Sequence, residues 1–153
     1  MTIKEFMQRF DISRESQVLK WIAQGYIKGA RLDPESGEYI LPELARPPYT
    51  MARAKTADGI YKSIVRACVA RRAVLPELYR ISPLEFQQYI DQLLEAGIIS
   101  CVEEDGIPYY HATLKSNDFL ASRNPSRFIE SSLNSVVAAM SKGMTSAYLE
   151  KIG

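Results

Sequence analysis

The run from Ile12 to Ile27, Ile-Ser-Arg-Glu-Ser-Gln-Val-Leu-Lys-Trp-Ile-Ala-Gln-Gly-Tyr-Ile, constrains the fold more than any other stretch of the chain. Val18, Leu19, Trp21 and Ile22 recur at helical spacing, which gives a short helix with one apolar stripe. Ser13 is placed to accept a hydrogen bond from a first-turn amide, and Gly25 to supply the left-handed stop. Arg14, Glu15, Gln17, Lys20 and Gln24 then point away from the core. Basic and amide side chains on the outside of a short helix offer bidentate donors and acceptors to base edges.

The flanks extend this reading. Thr2 with Glu5 three residues on has capping-box spacing, and Ile3, Phe6 and Phe10 share one helical face. A first short helix is therefore expected, then a tight Phe10-Asp11-Ile12 connection and the second helix. Beyond Gly25, Ala30-Arg31-Leu32 and Glu38-Tyr39-Ile40-Leu41 read as strands around the turn-rich Asp33-Pro34-Glu35-Ser36-Gly37. That is a hairpin with the shape of a wing.

The stretches Thr2–Phe6, Trp21–Ala30 and Tyr39–Glu43 resemble the excisionase-type, MerR-like winged helix-turn-helix, over about a third of the chain. In that family the second helix enters the major groove and the wing lies along the backbone. The resemblance implies double-stranded DNA as partner, with Arg14, Gln17 and Lys20 at the groove and Lys28 and Arg31 on phosphates. The spacing from Ser13 to Val18 is one residue longer than the family's usual one. Either Arg14 takes the cap position or the turn carries an extra residue. A small helical domain without nucleic-acid binding is the plainer alternative.

The net charge of +1 conceals a segregation. Residues 1–48 balance seven basic against seven acidic side chains, whereas residues 49–81 set seven basic ones against Asp58 and Glu77 alone. Residues 82–111 carry six acids and no Lys or Arg, and residues 112–153 five basic against three acidic side chains. Local fields of this kind decide which surface a polyanion can approach. No run approaches the roughly 20 apolar residues of a membrane span, and the first residues lack a signal-peptide core. Cys68, Cys101 and the single His111 make too few soft ligands for zinc. The expectation is a cytoplasmic protein with reduced thiols, no metal, no cofactor and no contact with membranes.

Arg46-Pro47-Pro48-Tyr49-Thr50 marks a boundary, because consecutive prolines continue neither a helix nor a central strand. Four segments follow: a winged helix-turn-helix at 1–44, a basic linker at 45–55 that either spaces the modules or tracks phosphates, a second winged helix at 56–122, and a helical segment at 123–153. In the second unit Ile60, Ile64, Ala67 and Cys68 share a helix face widened by Val65 and Val69, with Tyr61, Lys62, Arg66 and Arg71 outside. Pro76–Arg80 suits a short helix. Ser82-Pro83-Leu84-Glu85 opens the next, with Ser82 capping and Glu85 reaching back, and Gly97 ends it. Two strands then flank Glu103-Glu104-Asp105-Gly106, whose Asp-Gly pair favours a hairpin turn. The Leu-x-x-Gly-Ile-Ile hinge at Leu94–Ile99 and the Thr-Leu-x-Ser-x-x-Phe-Leu run at Thr113–Leu120 resemble small winged-helix proteins of phages and mobile elements, of the YjcQ-like sort.

The fold class expected is thus mainly α with small β-hairpin wings: two tandem winged helix-turn-helix domains plus a C-terminal helix. The outward residues of helix 83–96 are Glu85, Gln87, Gln88, Asp91, Gln92 and Glu95, and the second hairpin ends in Glu103, Glu104 and Asp105. Carboxylates repel phosphates while specific DNA interfaces are strongly positive, so this face is either solvated or binds a protein. Asn124-Pro125 opens a last helix in which Ile129, Leu133, Val136 and Met140 step as a heptad seam. It packs on its own domain or joins a homodimer. No phosphate loop, no Ser/His/Asp set and no tuned carboxylate pair suggests an enzyme. Two functions remain: a DNA-binding transcription regulator or excisionase-like recombination accessory, or an anti-CRISPR-like inhibitor or adaptor that binds its partner through the acidic face.

Overall fold

The computed structural model describes residues 1–49 and 54–135. Its elements run α1 (Ile3–Arg9), α2 (Glu15–Ala23), β1 (Arg31–Leu32), β2 (Tyr39–Ile40), α3 (Ala57–Val69), a 3-10 turn (Pro76–Leu78), α4 (Pro83–Glu95), β3 (Ile99–Glu104), β4 (Ile107–Ala112) and α5 (Ser116–Ala121). Residues 125–135 form a further helix, α6. The strands make two separate two-stranded antiparallel sheets, β1–β2 and β3–β4. The architecture is therefore mixed, with helices predominating over two small hairpins.

Local chemistry sets the helix ends. Thr2 Oγ1 accepts from Glu5 N, Thr56 Oγ1 from Gly59 N, Ser82 Oγ from Glu85 N and Asn124 Oδ1 from Arg127 N. The return bond from the Glu85 side chain is absent, so Ser82 caps α4 without a full capping box. Ser13 is not a cap: α2 begins after Arg14, which is extended and makes no side-chain cap bond. At their C-termini four helices stop in the same way. Tyr26 N reaches Trp21 O, Ile98 N reaches Leu93 O, Arg72 N reaches Ala67 O and Ile12 N reaches Met7 O. These are Schellman closures, and each needs a left-handed residue just past the cap. Gly25 and Gly97 fill that position in α2 and α4, while Asp11 (φ 53°) and Arg71 (φ 57°) fill it in α1 and α3.

Two apolar clusters result. The first gathers Ile3, Phe6, Val18, Ile27, Leu41 and Ala45, and the second Ile60, Ile64, Cys68, Ile90, Leu93, Phe119 and Ile129 among others. Leu19 is 40% exposed and lies off the α2 stripe, because Val18 and Ile22 already face the first cluster. Tyr61 is buried and Val69 is 40% exposed, the reverse of the expectation for α3. The cause is α4: the Tyr61 hydroxyl donates to Gln92 Oε1, and its ring stands edge-on to Tyr89 at 4.8 Å. The β3–β4 hairpin turns on Asp105 (φ 52°) and Gly106 (φ 79°), with Glu104 paired to Ile107. Positive φ at both central residues is what a tight hairpin turn demands. The Thr113 and Ser116 hydroxyls donate to Gly97 O and Ile98 O, and Lys115 Nζ to Ala96 O. Those side chains satisfy the carbonyls that the end of α4 leaves open.

The two clusters meet at a bonded seam. Ala73 N donates to Pro47 O at 2.7 Å, and both Pro47 and Pro48 are buried. The Glu104 carboxylate accepts from Glu43 N and Leu44 N at 2.9 and 2.8 Å. Arg46 Nη1 donates to Tyr110 O, and Lys28 Nζ sits 3.0 Å from Glu77 Oε1. Residues 45–49 are thus packed between the clusters, while 50–53 lie outside the described residues.

Candidate nucleic-acid interface

Helix α2 presents its polar face by simple geometry. Val18 is fully buried, and Lys20, two residues on and about 200° around the axis, is exposed. Arg14 is exposed at the start of the helix. Gln17 is half-buried, and with Trp21, Tyr49 and Arg72 it lines a cleft of about 520 Å³. Arg31 is exposed on β1 beside this module. Asp33 organises the hairpin tip, accepting from Ser36 Oγ at 2.9 Å and Glu35 N at 3.2 Å. These bonds hold its carboxyl below the usual range.

Lys28 stands apart from this group. Its ion pair with Glu77 ties it to the second cluster, and both side chains are about half exposed (46% and 51%). A pair so solvated contributes at most about 1 kcal/mol, so it positions the lysine more than it stabilises the fold. A groove of about 310 Å³ separates α2 from the hairpin, and Glu15 and Glu38 line it with Lys4. Glu15 and Glu38 are exposed along that groove, as Arg14, Lys20 and Arg31 are on this module.

The acidic face of α4 has the composition expected. Glu85, Gln87, Gln88, Asp91, Gln92 and Glu95 are all exposed, with Gln87 Nε2 donating to Asp91 Oδ1 at 2.8 Å. Glu103 and Asp105 are exposed at the hairpin. Glu104 is a correction: its carboxylate is committed to the Glu43 and Leu44 amides and is not free for a partner. The seam expected for a second copy is corrected at two of its four positions. Ile129 is buried in its own cluster and Leu133 packs against it, because the side of α6 that carries both faces Phe119 and its neighbours. Val136 and Met140 lie outside the described residues.

Sequence spacing did not connect Arg46, Arg71 and His111, which come from the 45–49 segment, the end of α3 and β4. Arg46 Nη2 bonds His111 Nδ1, and the Arg71 guanidinium lies 6.0 Å from the Phe10 ring centroid. The only linear signal is that Arg46 and Arg71 are basic residues at breaks between elements and that His111 is the single histidine. Among the described residues no group of His, Cys, Asp and Glu could hold a metal ion, and no helix is long and apolar enough to cross a membrane. No family model, no curated protein and no solved structure matches the chain.

Proposed function

We propose that this chain is a DNA-binding protein of two tandem winged-helix modules, a regulator or recombination accessory of a phage or mobile element. It reads double-stranded DNA with α2 and the β1–β2 hairpin. One observation carries the reading: Lys20 stands exposed on the side of α2 opposite the fully buried Val18, with Arg14 exposed just before the helix and Arg31 exposed on the neighbouring hairpin. An arginine reading a base edge contributes about 1–3 kcal/mol of discrimination. The test is a gel shift with the DNA upstream of the protein's own gene, comparing wild type with an Arg14→Ala/Lys20→Ala variant. Loss of specific binding with unchanged circular dichroism is the expected result. Undiminished affinity in the double variant overturns the assignment.

A second reading is favoured by α4, whose exposed face carries Glu85, Asp91 and Glu95 with no cation. In that reading the face binds a basic protein surface, as an inhibitor or adaptor of the anti-CRISPR-like sort would. Asp91→Lys/Glu95→Lys should abolish such a complex, since complementary potential sets encounter and register. The same change should raise non-specific DNA affinity if the face merely lies in solvent near a duplex.

A further inference from the structure

We infer that the seam between the two clusters holds a phosphate-binding site, formed by Arg46, Arg71 and Arg9 in an open cleft beside His111, and that its ligand is a phosphate of the DNA backbone. The inference rests on the DNA-binding reading for the source of the phosphate, and on the geometry of the cleft for the site itself.

The cleft has a volume of about 340 Å³, and its walls come from α1, residues 43–46, the end of α3 and β4. Its charged groups are Arg9, Arg46, Arg71 and Glu43, with His111 as the titratable neighbour. Glu43 is paired with Arg9 at 3.3 Å. Neither Arg46 nor Arg71 has a carboxylate within ion-pair distance among the described residues. Arg46 is only half exposed and donates to a carbonyl and to an imidazole, neither of which offsets its charge. The Glu43 carboxylate in the cleft is taken up by Arg9 and the N-terminal ammonium, so Arg46 and Arg71 repel each other without a paired acid, and such a pair is relieved by an anion. The field is felt locally: burial, then Arg46 and Arg71, hold the His111 imidazole below its usual range.

The backbone at Arg71 makes the same point independently. Arg71 occupies the left-handed stop of α3, the position held by Gly25 in α2 and Gly97 in α4. Glycine enters that conformation without strain, whereas a long side chain does not. The chain therefore keeps an arginine in a conformation where α2 and α4 use glycine and α1 the more tolerant Asp11. Its guanidinium is steadied over Phe10, at the turn that leads into α2. A phosphate bound here lies between the two modules, so the second module holds the duplex through Arg71 while its acidic α4 does not.

Arg71→Gly tests this without threatening the fold, because it installs the residue that the same closure carries elsewhere. His111 is the only histidine, so its imidazole resonances report on the cleft without ambiguity. Inorganic phosphate titrated into the full chain, against chloride at equal ionic strength, should shift those resonances saturably and raise the imidazole pKa. In Arg71→Gly the pKa should already be raised and the phosphate response lost. No phosphate-specific shift, or the same shift in the variant, overturns the site. With duplex DNA, the slope of log affinity against log salt should flatten by about 0.9, the value for one phosphate contact, equally for specific and unrelated sequences. An unchanged slope in a variant that still binds DNA overturns the phosphate contact but leaves the reading by α2 intact. A phosphate response in a chain that binds no DNA overturns the duplex as source, and with it the proposed function.

Discussion

Gly29 and Gly25 both have positive φ, yet a methyl group would meet different surroundings at each. A Cβ on Gly25 meets nothing within 4 Å, while one on Gly29 falls 2.7 Å from Ile107 Cδ1 and 2.7 Å from Pro42 Cγ. The proline ring cannot rotate away, so Gly29→Ala adds overpacking to the conformational strain that both substitutions share. Urea denaturation should show a loss of about 1–2 kcal/mol for Gly25→Ala and about 2–4 kcal/mol for Gly29→Ala. Cys68 offers a second test at this scale. It is buried in the second cluster, and burial pushes its thiol from 9.0 up to about 12. A raised folded pKa means the stability is fully present below the unfolded value and is lost as pH rises towards the folded one. Stability should therefore fall above pH 9, before the tyrosines contribute, with a slope on the order of 1 kcal/mol per pH unit. Cys68→Ala should lower stability at neutral pH but flatten that slope between pH 9 and 10, as read from urea midpoints.

At the scale of elements, α4 starts and stops where local chemistry placed it and α2 stops at Gly25, although α2 begins at Arg14 in place of Ser13, and side chains went wherever a neighbour covered them. Ile129 and Leu133 have the spacing of a seam between copies, but their side of α6 is filled by the chain's own Phe119 and Phe128 cluster. Ile129→Ala should thus cost about 2–5 kcal/mol as a core truncation, with the sedimentation profile of the folded protein unchanged. A change in oligomeric state at undiminished stability would restore the seam. Tyr61 teaches the same lesson from the other side. Its position on α3 is peripheral by periodicity, yet α4 lies over it and gives its hydroxyl an acceptor in Gln92.

For the whole molecule, the decisive feature is how the two clusters are joined. One carboxylate, Glu104, accepts two consecutive backbone amides across the seam. Hydrogen bonds to a charged acceptor contribute roughly 1.5–3 kcal/mol each at most, and partial exposure reduces this here. Glu104→Ala should lower stability by about 1–3 kcal/mol and speed hydrogen exchange at the Glu43 and Leu44 amides above all others. Slow exchange at both amides in the variant would mean that the seam is held by the prolines and Ala73 instead.

The sequence by itself determined what depends on neighbours a few residues away. Thr2, Ser82 and Asn124 cap their helices, Gly25 and Gly97 stop theirs, and Asp105-Gly106 turns the second hairpin, because each is settled by backbone hydrogen bonds and φ preferences within one turn. The outward acidic face of α4 was legible for the same reason, since one helical period sorts it. Tertiary structure alone decided the rest. It buried Tyr61, turned Ile129 inward, took Glu104 from its hairpin to the first module, drew Lys28 to Glu77, and brought Arg46, Arg71 and His111 into one cleft. Those residues lie 25 to 65 positions apart in the pairs that meet across the seam, and no periodicity in a chain encodes which of its distant charges will share a surface.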